Sequence, residues 1–126
     1  MQTMVCFESG GIAYCVPLHS VRSVRTTEGL IPLPEPAQGV AGILPGDPPL
    51  TVISPLRPNG GHVLVMEVGE KRFGLLVDVV TGISRVSEDQ MRPAPQGQDR
   101  SLVAGTIDNA GQLILVADPT SLGARL

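Results

Sequence analysis

Slid along itself by 59 positions, this chain lays Val5–Val24 over Leu64–Ile83. Phe7 falls on Met66, Glu8 on Glu67, Gly10 on Gly69, Tyr14 on Phe73 and Val16 on Leu75. Leu18 then meets Val77, Val21 meets Val80 and Val24 meets Ile83. A second block repeats at an offset of 63, with Val40-Ala41-Gly42 on Val103-Ala104-Gly105 and Leu50–Ile53 on Leu113–Val116. The slip of four residues falls in connections, where chain length is cheap. Two units of roughly sixty residues would each be marginal alone, so they must share a hydrophobic interface. The repeat predicts one domain over residues 1–126 built from two β lobes. One lobe covers about residues 12–58 and the other about 62–117, with the N-terminal strand available to the second.

Local patterns give the lobes their strands. Val63–Val68 and Phe73–Val80 are apolar runs separated by Gly69-Glu70-Lys71, which reads as a hairpin loop. Runs this apolar fit strands covered on both faces. Met4–Ser9, Gly10-Gly11 and Ile12–Val16 form a first hairpin. Pro17 then stops the ladder, and Leu18, Val21 and Val24 recur at helical spacing. Leu18–Arg25 is therefore expected as a short helix. Eight of the twelve prolines lie in Thr26–Pro58. Among them Pro32, Pro34 and Pro36 confine Leu30–Pro36 to an edge strand or a covering loop. Gly39–Leu44 and Leu50–Ile53 are short strands about the turn Pro45-Gly46-Asp47, and Pro58–Gly61 is the expected junction between lobes. Ser87–Gln90 reads as one turn, Pro93–Gly97 as a surface loop, and Leu102–Ile107 with Leu113–Val116 as the last hairpin. Asp118-Pro119 has the form of an N-cap followed by a first-turn proline, opening a short closing helix.

The chain offers little for catalysis. It has no HExxH, CxxC, GxSxG or P-loop, and its histidines, His19 and His62, stand apart. Asp78 interrupts an apolar run; a carboxylate there needs partners, and backbone N–H groups at a sharp bend would serve. Cys6 and Cys15 fall on the two arms of the first hairpin. They read as small buried hydrophobes, although paired strands would bring them close enough for a disulfide. Nine basic residues against twelve acidic ones leave a net charge of −3 and no basic face for phosphates. Phe7, Tyr14 and Phe73 are the only aromatics, too few to offer stacking platforms for bases. No apolar run approaches the roughly twenty residues of a membrane helix, and the first ten residues lack a signal-peptide pattern, so a cytoplasmic chain is expected. A β unit with open edges and a seam between lobes suits recognition of another protein.

Several stretches together resemble the CheW-like domain, the adaptor module of bacterial chemosensory arrays. Pro17–Val24 resembles the family's passage from strand to "V-R-E-V". Leu33-Pro34-Glu35-Pro36 resembles its "V-P-x-x-P", and Val40–Ile43 its "V-x-G-V". The most specific match is Gly74-Leu75-Leu76-Val77-Asp78-Val79-Val80, similar to its "G-L-L-V-D-x-V"; Leu102–Ile107 with Gln112–Asp118 resembles its closing hairpin. The resemblance implies a mainly β fold of two SH3-like five-stranded barrels around a common core, without enzymatic activity, cofactor or metal. It further implies two partners: the regulatory domain of a CheA-like histidine kinase, and the cytoplasmic tip of methyl-accepting receptors, docked in the groove between lobes. Carried onto matching segments, the partner-facing positions are Val21, Arg22, Val24 and Arg25 with Ile43 and Leu44. The chain departs from the family at Gly42–Gly46, where the passage is shorter by two residues and lacks an arginine. Ser54 stands where the family has an aspartate. A shortened, proline-rich first lobe is what a divergent paralogue serving pili or gliding would carry.

Overall fold

A computed structural model describes residues 1–33, 39–56, 58–94 and 102–126. The strands run β1 (Gln2–Ser9), β2 (Ile12–Pro17), β3 (Val21–Thr26), β4 (Ile31–Pro32), β5 (Val40–Leu44) and β6 (Leu50–Ile53). They continue as β7 (His62–Val68), β8 (Lys71–Val77), β9 (Val79–Val86), β10 (Met91–Arg92), β11 (Val103–Asn109) and β12 (Gln112–Ala117), and helix α1 (Pro119–Gly123) closes the chain. They form two sheets, in the orders β10-β11-β12-β2-β1-β9 and β3-β7-β8-β6-β5-β4. Each sheet holds five strands of four or more residues and one two-residue edge strand, β4 or β10. That is the two-lobed, five-stranded architecture expected.

The lobes divide where the sequence reading did not place them. One sheet, the middle lobe, is continuous from Val21 to Val77; the other, the terminal lobe, joins residues 2–17 to residues 79–117. The junction is therefore not Pro58–Gly61, and β7 and β8 belong with β3–β6. The N-terminal strand does pair into the later half, through β9. The repeat itself is real but out of phase with the lobes. Each repeated hairpin sends its next strand across to the other lobe: β3 joins β7, and β9 joins β1. Val24 pairs with Leu64 on one side and Ile83 with Val5 on the other, the same pairing with the two copies exchanged. A bulge interrupts both ladders at equivalent places, beside Arg22 and beside Thr81.

Burial explains why the hairpin strands lack alternation. Val5, Phe7, Tyr14 and Val16 face Leu64, Met66, Phe73 and Leu75 in a core shared by both lobes. Their neighbours face the other way, into separate cores. Met4 and Cys15 pack with Val86, Ile107, Ile114 and Val116; Val63 and Val65 pack with Leu44, Leu50 and Val52. The rings of Phe7 and Tyr14, opposite in the ladder, stack with centroids 5.6 Å apart. Leu122 on α1 completes the shared core, and the Asp118 carboxylate caps that helix by accepting from the Thr120 N–H at 3.1 Å.

The expected helix after the first hairpin shrinks to a single 3₁₀ turn, Leu18–Ser20; Val21–Thr26 is strand. The valines, Ser23 and Thr26 tolerate the extended form, and the β7 edge offers hydrogen bonds that a short exposed helix could not match. The expected strand Phe73–Val80 ends at Val77, and a new strand starts at Val79. Of Leu30–Pro36, Ile31–Pro32 is an edge strand, while Pro34 and Pro36 lie outside the described residues, as do Pro95–Gly97.

Gly105 and its counterpart Gly42 let β10 and β4 close over β11 and β5. A Cβ on Gly105 would lie 2.6 Å from the Arg92 carbonyl oxygen, and one on Gly42 would collide with that of Ile31. Gly105→Ala and Gly42→Ala are each expected to cost about 1–3 kcal/mol. Urea unfolding should show this as a lower midpoint at unchanged slope.

Candidate partner-binding surface

β3 lies at one edge of the middle-lobe sheet, and everything from Arg22 to Thr26 is exposed. Val21 is half-buried against the shared core. The bulge after it breaks the alternation, so Arg22 and Ser23 both reach solvent. Val24 is 46% exposed, which is high for an aliphatic side chain within a strand. Of the six positions expected to face a partner, the structure brings Val21, Arg22, Val24 and Arg25 onto this one edge.

Ile43 and Leu44 lie elsewhere, on β5, four places along the sheet. Ile43 is half-buried opposite Ile31 of β4 and Thr51 of β6. Leu44 is 0% exposed, a core residue of the middle lobe packed with Leu50, Val52, Val63 and Val65. It cannot meet a partner, and the expectation for it is corrected. Strand alternation decides this: Gly42 and Leu44 turn inward, leaving Ile43 to turn away.

Arg22 belongs to a small charged cluster. Its Nη1 donates to Glu67 Oε2 at 2.9 Å, and Arg72 Nη2 donates to the same oxygen at 3.2 Å. Two guanidinium groups on one carboxylate leave this face net positive. The hydrogen bonds from Arg22 and then Arg72 hold the Glu67 carboxyl below the usual carboxylate range. At the repeat-related positions the terminal lobe has Glu8, Ala13 and Thr81, so there the carboxylate recurs without its two arginine partners. The pairs are exposed and orient side chains more than they stabilise the fold.

Sequence reasoning missed the second edge. β9 ends the terminal-lobe sheet as β3 ends the middle one, and Ile83, counterpart of Val24, is 66% exposed. Val79 on the same strand is exposed as well. The offset of 59 already pointed there, since it carries every β3 residue onto β9.

Asp78 sits where the chain returns from the middle lobe to the terminal one. Its Oδ2 accepts from the Gly10 N–H at 2.9 Å, and its Oδ1 accepts from the N–H groups of Asn59 at 2.6 Å and Gly60 at 2.9 Å. Its own N–H donates to the Glu8 carbonyl at 3.0 Å. His62 Nδ1 lies 3.0 Å from the Asp78 carbonyl, which fixes the proton on that nitrogen. The carboxylate thus joins the first hairpin turn to the segment entering β7, the backbone role expected at a bend. With His62 held by a carbonyl rather than by the carboxylate, the two do not form an acid–base pair.

Three comparisons bear on this surface. A family model described as the CheW-like domain matches residues 49–125. A protein named chemotaxis protein CheW from Rhizobium meliloti (strain 1021) is 26% identical over 132 residues, covering 94% of this chain and 85% of that protein. The crystal structure of scaffolding protein TtCheW from Thermoanaerobacter tengcongensis superposes with a TM-score of 0.82 at 19% identity, covering 93% of this chain and 84% of that one.

Truncation should separate core from surface. Leu44→Ala is expected to cost about 2–5 kcal/mol, whereas Val24→Ala should stay within about 0.5 kcal/mol; thermal melts of both variants check this. Titration of the Glu67 carboxyl, followed by NMR, should move toward ordinary carboxylate values in Arg22→Ala. The depressed value favours the folded state above the unfolded pKa, and the benefit fades as pH falls through the folded one.

Proposed function

The chain belongs to the CheW-like domain family, and from that premise we propose that it is an adaptor coupling a CheA-like histidine kinase to methyl-accepting receptors. Members of this family are scaffolds, not enzymes. In this reading the protein works in the cytoplasm, touching the membrane only through receptors; no described helix is long and apolar enough to cross a bilayer. The observation that carries the reading is the pair of repeat-related edges, β3 and β9, one on each lobe and each with an exposed aliphatic residue. A bridging protein needs two separate faces, and the different charges around Val24 and Ile83 would keep two partners distinct. Val21, Arg22, Val24, Arg25 and Ile43 are the positions proposed to meet partners.

A second reading in the same family has one observation in its favour. The turn between β5 and β6 is Pro45–Pro49, wholly exposed and without the family's arginine. A paralogue of a pilus or gliding system, binding the kinase without standard receptor coupling, would be built this way. The alternative of a ligand-binding or enzymatic barrel loses its chief candidate, because Asp78 is engaged by backbone N–H groups.

Calorimetric titration against the kinase regulatory domain and a receptor cytoplasmic tip from the same organism tests the proposal. Binding to both is expected of the coupling reading, with Val24→Asp weakening one complex at least tenfold, about 1.4 kcal/mol, at unchanged melting temperature. Kinase binding alone favours the paralogue reading, and binding to neither overturns both.

A further inference from the structure

The hairpin of β1 and β2 carries the chain's two cysteines directly opposite one another. Gly10 and Gly11, at φ 58° and 79°, make a two-residue turn of the I′ kind, closed by the hydrogen-bonded pair Ser9–Ile12. Alternation along the ladder then makes Cys6–Cys15 a non-hydrogen-bonded pair. In such pairs the Cα atoms stand roughly 4.5 Å apart with side chains on one face. A disulfide spans roughly 4.4–6.8 Å.

Both side chains pack with the terminal lobe's own core and line a cavity of about 20 Å³, with Ser84, Arg85, Gln90 and Asn109 also in its wall. That is room for about one water molecule. The other lobe shows what the fold does without this space. There the repeat-related pair is Val65 opposite Gly74, and a Cβ on Gly74 would lie 2.7 Å from Val63 Cγ1 and 3.0 Å from Val52 Cγ2. The middle lobe is packed shut at the position where the terminal lobe accommodates sulfur. The two thiols also differ in access. Cys15 is buried, and burial, with Cys6 adding, pushes its thiol up to about 12. Cys6 is only half-buried, and burial raises its thiol as well.

We infer that Cys6 and Cys15 form a redox modification site, a cross-strand dithiol that exchanges with a low-molecular-weight disulfide such as oxidised glutathione. The accessible Cys6 thiolate attacks one sulfur of the disulfide RS–SR, forming a Cys6–S–S–R bond and releasing RS⁻, which takes up a proton. The Cys15 thiolate then attacks Cys6 Sγ, breaking its bond to R, and the second RS⁻ leaves to be protonated. Two protein thiols are oxidised and one RSSR is reduced to two RSH. Both thiols sit above their ordinary range, so exchange is slow near neutrality and quickens as pH rises. Cys6 pairs with Gly82 at the β9 bulge, so the bridge would brace the hairpin that carries the exposed Ile83 edge.

The reduced full-length protein is incubated with oxidised glutathione at about pH 7 and about pH 9, where thiolate fractions differ. It is then quenched with acid, unfolded, alkylated and mapped by mass spectrometry. The expected product is a Cys6–Cys15 disulfide, formed faster at the higher pH, with both thiols lost together. Cys15→Ala should stop at glutathione bound to Cys6, and Cys6→Ala should keep a free thiol at Cys15. The inference is overturned if wild-type protein accumulates the Cys6 adduct with Cys15 still alkylatable. It is equally overturned if both thiols stay free under conditions that oxidise the urea-unfolded chain.

Discussion

The core between the lobes is the contact on which the molecule depends. Val5, Phe7, Tyr14 and Val16 from one hairpin and Leu64, Met66, Phe73 and Leu75 from the other are packed there, several without measurable exposure. Neither hairpin has another surface on which to bury those faces, because the opposite faces already fill the two lobe interiors. Strands wetted on neither side explain the absence of alternation, and a sheet buried on both faces needs the second lobe as its cover. The exchange of β3 and β9 follows from the same demand, since each ties one lobe to the other along a full strand. At one crossing the Asp78 carboxylate accepts from the backbone N–H groups of Gly10, Asn59 and Gly60.

Much of this was legible in the residues. The run Val63–Val68, the glycine turns and the Asp118-Pro119 cap are local signals and form where the residues place them, whereas Phe73–Val80 divides at Asp78 between two sheets. The internal repeat was visible because both hairpins face the same shared core and so keep similar residues. What the repeat could not reveal was which strands pair, since pairing of β3 with β7 is a long-range choice that leaves no local trace. Val21–Thr26 shows the limit well. Its valines three apart fit a helical face, yet the decisive fact is an open strand edge elsewhere in the fold. The second block illustrates a finer limit. Gly42 and Gly105 pair with Val52 and Val116, so β6 maps onto β12 at an offset of 64 rather than 63.

The surface followed the same rule. Val24 and Arg25 fit a helical face in the sequence but lie exposed on a strand, because β3 is a sheet margin open on both sides. Leu44 was misplaced because one position along a strand decides between core and solvent, and its neighbour Ile43 is the outward one. The β9 edge went unread for a different reason. Its residues, Val79 to Val86, mix aliphatic with polar side chains and give no local sign of an edge, and only the position at the sheet margin leaves Ile83 exposed.

The division of the lobes sets an order of assembly during synthesis. The middle lobe is contiguous and has all six of its strands once Val77 has left the ribosome. The first hairpin, made earlier, can already lay Phe7 and Tyr14 over Met66 and Phe73. Its other face, with Met4 and Cys15, must wait for Val86, Ile107, Ile114 and Val116. Until β9–β12 have followed, the nascent chain therefore holds one contiguous lobe and a half-covered hairpin, and pairing of β12 with β2 seals the second.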